Sequence, residues 1–132
     1  MLELSATLTE LLERAKHAAS HSYSPYSGYK VGSAVLTVDG QIFEACNVEN
    51  ASYSLSLCAE RNAIFKAVSA GKRDFEAIAI YVDADEPFPP CGACRQVMAE
   101  FNPSITVVYA NRSQTVKTDL AQLLPGAFCL KK

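Results

Sequence analysis

Apolar residues recur at helical spacing near the start of the chain, where Leu8, Leu11, Leu12, Ala15, Ala18 and Ala19 predict an amphipathic helix over 7–20. Thr7-Leu8-Thr9-Glu10 has the form of a capping box and is expected to open it. The pattern breaks over 20–28, rich in Ser, Tyr, Pro and Gly, which reads as a loop. Small and β-branched residues over 30–38, the turn pair Asp39-Gly40 and a second run over 41–47 predict a β-hairpin. Helical spacing returns with Ala59, Ala63, Ile64, Ala67 and Val68 and stops at Gly71. The short apolar run over 76–82 has strand length, and the acids and prolines of 83–90 end it. A third helix is expected over 91–101 and strands over 105–110 and 115–117, with a short helix over 119–124. Strands alternating with helices indicate an α/β domain with at least one parallel crossover.

Composition narrows the class of protein. The 132 residues are 49% hydrophobic and 20% charged, which predicts one folded domain spanning 1–132 rather than a disordered chain. Lys plus Arg number 12 against 14 for Asp plus Glu, a net charge of -2 that offers no footprint for a phosphate backbone. Nucleic acid is therefore not expected as a partner, nor is a membrane, because no apolar run approaches the roughly 18 residues of a spanning helix. With no export signal read at the N-terminus, a cytoplasmic location is expected. Five cysteines, an odd number, argue against a disulfide framework and for metal binding or a reactive thiol.

Cys91-Gly92-Ala93-Cys94 at a helix start puts two sulfurs on one side, a spacing shared by redox pairs and half zinc sites. Cys58-Ala59-Glu60 heads the preceding helix, so the chain reads C-x-E … P-C-x-x-C. Three thiolates hold a tetrahedral zinc ion while leaving one corner for water, the mark of a catalytic rather than a closed site. Glu60, two positions from a ligand, is poorly placed as a fourth and better placed to shuttle protons as general acid and base. Three thiolates over-neutralise the metal, so helix N-termini and a guanidinium are expected to withdraw charge. Arg61 is favoured over Arg95 for this. Cys46 and Cys129 have no ligand spacing and are expected to be packing thiols, and His17 and His21 to lie at the surface.

At these residues the chain resembles a zinc-dependent cytidine deaminase of the short, homotetrameric kind. The likeness runs through Ser24-Pro25-Tyr26-Ser27, Val31-Gly32, Asn47-Val48-Glu49-Asn50-Ala51-Ser52-Tyr53, Cys58-Ala59-Glu60-Arg61, Pro90-Cys91-Gly92-Ala93-Cys94-Arg95-Gln96 and Leu123-Leu124-Pro125-Gly126-Ala127-Phe128. It implies a three-layer α/β/α fold with a mixed sheet of about five strands, one zinc ion per chain, and deamination of cytidine and 2′-deoxycytidine with release of ammonia in pyrimidine salvage. It also implies that Asn47, Glu49 and Asn50 bind the nucleoside, that the Ala59 amide reads the base carbonyl, and that Tyr29 and Phe128 pack on the base. Tyr53 is implied to reach a neighbouring subunit's site. Tyr29 stands where many relatives carry Phe, and the stretch 83–89 has no role in this reading. Two other readings stay open: an aminopyrimidine antibiotic as substrate, and a non-catalytic structural zinc module, for which a fourth protein ligand is needed.

Overall fold

The computed structural model describes residues 4–130. Helix α1 (Ala6–Ala19) leads into a hairpin of β1 (Val31–Thr37) and β2 (Ile42–Cys46), followed by α2 (Ala59–Ser69) and β3 (Phe75–Val82). Helix α3 (Gly92–Phe101), β4 (Thr106–Ala110), β5 (Thr115–Asp119) and the short α4 (Leu120–Leu123) complete the order. The five strands form one sheet in the order β2-β1-β3-β4-β5. Only β3 and β4 run parallel, joined through α3; the other neighbours are antiparallel.

The central strands are buried on both faces, which is why β1 and β3 read as nearly continuous apolar runs while the edge strands β2 and β5 are only half-buried. Alternate residues divide the core. Val35, Ile78, Ile80 and Val107 pack with Ala63 and Ile64 of α2 and Met98 of α3 on one face. Ala34, Leu36, Ala77, Ala79 and Val108 pack with Leu8, Leu11, Ala15 and Ala19 of α1 on the other. The result is the three-layer α/β/α arrangement with a mixed five-stranded sheet.

Three local expectations are corrected. The cap of α1 is Ser5, whose side chain accepts from the Leu8 amide, so the helix begins before Thr7 and the capping box is not the device used. The hairpin is wider than a two-residue turn: the strands stop at Thr37 and Ile42, Gly40 takes φ +90°, and the Thr37 hydroxyl accepts from the Gln41 amide at 2.9 Å. Cys129 is exposed rather than packed, whereas Cys46 is half-buried in β2. Both histidines are at the surface as expected, with His17 Nδ1 3.0 Å from Glu44 Oε2.

Candidate metal and nucleoside site

Cys58 and Cys91 are the N-cap residues of α2 and α3, with extended backbone. Neither side chain caps its own helix, and the two sulfurs instead meet each other. Cys94 lies in the first turn of α3, fully buried. The three sulfurs converge within 4.8 Å of one another, with Cys58 Sγ 3.7 Å from Cys91 Sγ and Cys91 Sγ 3.3 Å from Cys94 Sγ. Zinc–sulfur bonds of about 2.3 Å at tetrahedral angles put sulfurs about 3.8 Å apart, so the triangle has the dimensions of three corners of such a site. No other group of three metal-ligating side chains occurs among the described residues. The thiols, their spacing and their place at two helix N-termini fit zinc.

The sulfurs are electrostatically unequal. Contact with Cys94 and with the Arg61 guanidinium outweighs burial and brings Cys58 down to about 5, while its partnership with Cys58, together with burial, pushes Cys94 strongly up. Arg61 Nη2 donates to Cys58 Sγ at 3.5 Å, the contact expected of a charge-withdrawing guanidinium. Its Nε is buried without an acceptor among the described residues, so the sulfur contact is what ties this side chain to the site. Arg95 is engaged elsewhere. Its Nε donates to the Pro90 carbonyl at 2.7 Å and its Nη1 to the Leu123 carbonyl at 2.9 Å, bracing the chain ahead of Cys91.

Glu60 is 5% exposed in the first turn of α2 and lines a cavity of about 160 Å³ together with Asn47, Cys58, Ala59, Cys91, Val31, Ile80, Phe88 and Pro89. Burial, reinforced by the charge on Cys58, pushes its carboxyl up to about 7. A carboxyl so poised gains or loses a proton near neutral pH, as a proton shuttle must. The backbone amide of Ala59, at the first helical position, belongs to those with no intrahelical acceptor.

Asn47 is 8% exposed and ties three segments together. Its Oδ1 accepts from the Val31 amide at 3.1 Å and from the Ser22 hydroxyl, and its Nδ2 donates to the Tyr29 carbonyl at 2.9 Å. The chain beyond it is held by amide–carbonyl bonds: Val48 and Leu57 exchange a pair, the Glu49 amide donates to the Tyr23 carbonyl, and the Tyr23 amide donates to the carbonyl of Asn47. Glu49 lines a separate cavity of about 300 Å³ with Tyr26, Ser27, Tyr53 and Ser56. Hydrogen bonds from the Ser27 hydroxyl and from the Ser27 and Tyr26 amides hold its carboxyl below the usual range. The Asn50 side chain closes a turn by accepting from the Ser52 amide at 2.8 Å.

Within one chain, then, the structure brings Cys58, Cys91, Glu60, Ala59 and Asn47 to one cavity, with Cys94 behind it, and puts Glu49 and Tyr53 at the next. Tyr53 and Phe128 are 73% and 67% exposed, and Tyr29 stands behind Phe88, ring centroids 5.0 Å apart. Phe88 and Pro89, with Ile80 of β3, line the site without having been read from the sequence as site residues. Phe88 and Pro89 lie in a proline-rich stretch without periodicity, and their nearness to Cys91 along the chain was the one signal for them.

A family profile described as "Cytidine and deoxycytidylate deaminase zinc-binding region" matches residues 5–110, which span both halves of the sulfur site. The chain belongs to the cytidine deaminase family. It is 50% identical over 121 residues to a cytidine deaminase of Sporosarcina psychrophila, covering 90% of this chain and 89% of that protein. It is likewise 50% identical over 120 residues to a cytidine deaminase of Halalkalibacterium halodurans, covering 89% and 91% of the two chains. The crystal structure of a cytidine deaminase from Burkholderia pseudomallei superposes with a TM-score of 0.88 at 47% identity, covering 95% of this chain and all of that one. As a cytidine deaminase family enzyme it has the family's zinc-binding region, and Cys58, Cys91 and Cys94 form a cluster that could hold a metal ion. No described helix is long and apolar enough to cross a membrane.

Proposed function

We propose that this enzyme hydrolyses cytidine and 2′-deoxycytidine to uridine and 2′-deoxyuridine, releasing ammonia, as a step of pyrimidine salvage. The observation that carries the reading is the meeting of three cysteine sulfurs with a buried glutamic acid at one small cavity. Cys58, Cys91 and Cys94 would hold one zinc ion per chain, which when bound supplies the Lewis acid that makes water a nucleophile near neutral pH.

The remaining work falls to side chains of this protein. Glu60, with its carboxyl near 7, takes a proton from the attacking water and delivers it to N3 of the pyrimidine, then takes the remaining proton of the new C4 hydroxyl and delivers it to the amine as the C4–N bond breaks and the C4 carbonyl forms. The Arg61 guanidinium draws charge from the Cys58 sulfur. The Ala59 amide donates to the base carbonyl. Asn47 keeps one N–H of its Nδ2 beyond the bond to Tyr29, and Glu49 keeps one lone pair on Oε2 beyond the bond from Ser27, so both retain capacity for sugar hydroxyls. A nucleoside is preferred over the free base because those groups lose partners when the sugar is absent.

Tyr53 and Phe128 meet a nucleoside in this proposal through a homotetramer, in which neighbouring chains complete each site, with Asn50 shaping its rim and Tyr29 supporting Phe88 at its wall. The exposed apolar side chains Tyr26, Tyr53, Leu55 and Phe128 support such an assembly. The unpaired cysteines suit a reducing cytoplasm, and the net charge of -2 suits a free nucleoside better than a polynucleotide. The test is ultraviolet loss of cytidine and deoxycytidine together with metal content, in the wild type and Glu60→Gln. The expected result is zinc retained and activity lost in the variant. Ammonia release unaffected by the change would remove Glu60 from the mechanism. Sedimentation at assay concentration tests the tetramer.

A further inference from the structure

Phe88 lines two cavities at once. One is the cavity of about 160 Å³ that it shares with Cys58, Glu60 and Cys91. The other, of about 330 Å³, is bounded by Tyr29, Ala84, Asp85 and Glu86. The Tyr29 and Phe88 rings meet edge to face at an interplanar angle of 79°, the arrangement aromatic quadrupoles favour, so Tyr29 backs Phe88 from the side of the second cavity.

The partition is fixed at both ends. The Tyr29 carbonyl accepts from Asn47 and its amide donates to Ser27 Oγ at 3.1 Å. On the other side the Asp83 amide donates to the Lys30 carbonyl, Asn111 Nδ2 donates to the Ala84 carbonyl at 2.9 Å, and Arg95 holds the Pro90 carbonyl. Segments pinned this closely make a wall rather than a lid. The cavity in front of the wall, about 160 Å³, is smaller than the roughly 300 Å³ at which drug-sized ligand pockets begin, so it takes only part of a nucleoside, and the wall bounds that part on one side.

From this we infer that Phe88, backed by Tyr29, sets the size limit of the substrate beside the reacting carbon. It excludes cytosine nucleosides that carry an alkyl group on the exocyclic nitrogen or on the adjacent ring carbon. The inference rests on the nucleoside-deaminase reading above. Phe88 shares its cavity with Cys58, Glu60 and Cys91 and also with Asn47, one of the two residues proposed for the sugar, whereas Glu49, the other, lies at the separate cavity of about 300 Å³, so the wall stands at the end of the site away from Glu49.

The experiment measures kcat/KM of the zinc-loaded wild type, Phe88→Ala and Phe88→Leu on cytidine and on its 5-methyl, 5-propyl, N4-methyl and N4-propyl derivatives. Calorimetric binding of 5-propyluridine gives a readout independent of turnover. A single methylene at a packed apolar wall discriminates by roughly 10- to 200-fold, so the wild type should fall by at least about tenfold on the propyl compounds. Phe88→Ala should recover about tenfold or more on at least one propyl series relative to cytidine, chiefly through KM, and should bind 5-propyluridine more tightly. Phe88→Leu should lie between. Equal losses on all substrates in both variants, or a wild type indifferent to the propyl group, overturn the inference. A wild type inert toward cytidine overturns the reading beneath it, and the inference falls with it.

Discussion

Arg61 Nη2 and Cys58 Sγ lie 3.5 Å apart on the first turn of α2, a spacing of three residues that brings a guanidinium under the sulfur of its own helix start. A cation there offsets part of the excess negative charge of a three-thiolate site. Arg61→Gln keeps a hydrogen-bond donor and removes the charge, so turnover should fall about 10- to 100-fold while zinc content changes less. Arg61→Lys, which restores the charge without the planar fork, should recover part of the loss. Steady-state rates set beside metal analysis check this; unchanged turnover discards the role.

Glu60 makes the metal-free protein sensitive to pH. Its carboxyl is pushed by burial from an ordinary 4.5 to about 7, so the folded state binds the proton more tightly than the unfolded state. That stabilisation is complete below about pH 4.5 and is lost as pH rises through about 7, a difference of at most about 3 kcal/mol. Cys58, depressed to about 5, acts with the opposite sign: its stabilisation is lost as pH falls through that value. Comparing metal-free wild type with metal-free Glu60→Gln by denaturant unfolding, in reducing buffer with chelator, isolates the first effect because both proteins retain Cys58. The wild type should lose stability relative to the variant between about pH 5 and pH 8. A constant difference across that range rejects the assignment.

Much of this site was legible because its chemistry is local in sequence. Cys58-x-Glu60 and Cys91-x-x-Cys94 carry their geometry in their spacing at two helix starts, and the deep β1 and β3 strands announce themselves as apolar runs. The pairing of the two halves depends on β3 and β4 running parallel on either side of α3, which alternation of strands and helices foretold without giving the order. What escaped was non-periodic. Phe88 occupies a loop whose conformation is set by distant partners, Asn111 and Lys30, and Ser5 displaced the expected capping box because a single hydroxyl suffices to hold the Leu8 amide.

Asn47 joins the architecture to the site. Its oxygen serves the Val31 amide and the Ser22 hydroxyl, its nitrogen the Tyr29 carbonyl, and Asn47 itself is buried. Asn47→Asp preserves the acceptor and loses the donor, leaving the Tyr29 carbonyl facing a carboxylate. The variant should lose about 1–3 kcal/mol of stability, and its KM for cytidine should rise more than its kcat falls. Urea unfolding and steady-state kinetics on the same preparation check both; full stability would show that the Tyr29 contact holds nothing in place.

Gly32 tests the packing that lets α1 cover the sheet. A Cβ at this position would lie 1.9 Å from the Ala15 carbonyl oxygen and 2.4 Å from the Ala19 amide nitrogen, both backbone atoms of α1. No flexible side chain is there to yield, so the helix itself must move off β1. That displacement would open contacts among Ala15, Ala19, Ala34 and Ala79, which pack because they are small. Gly32→Ala should therefore destabilise the protein by about 1–3 kcal/mol at the least, although it adds a single methyl group. Because the adjoining Val31 lines the site cavity, activity should fall along with the melting temperature. Gly92→Ala is the control: nothing lies within 4 Å of the added carbon, and alanine is the better helix former, so stability should hold or rise slightly. If both variants melt with the wild type, the close approach of α1 to β1 is wrong.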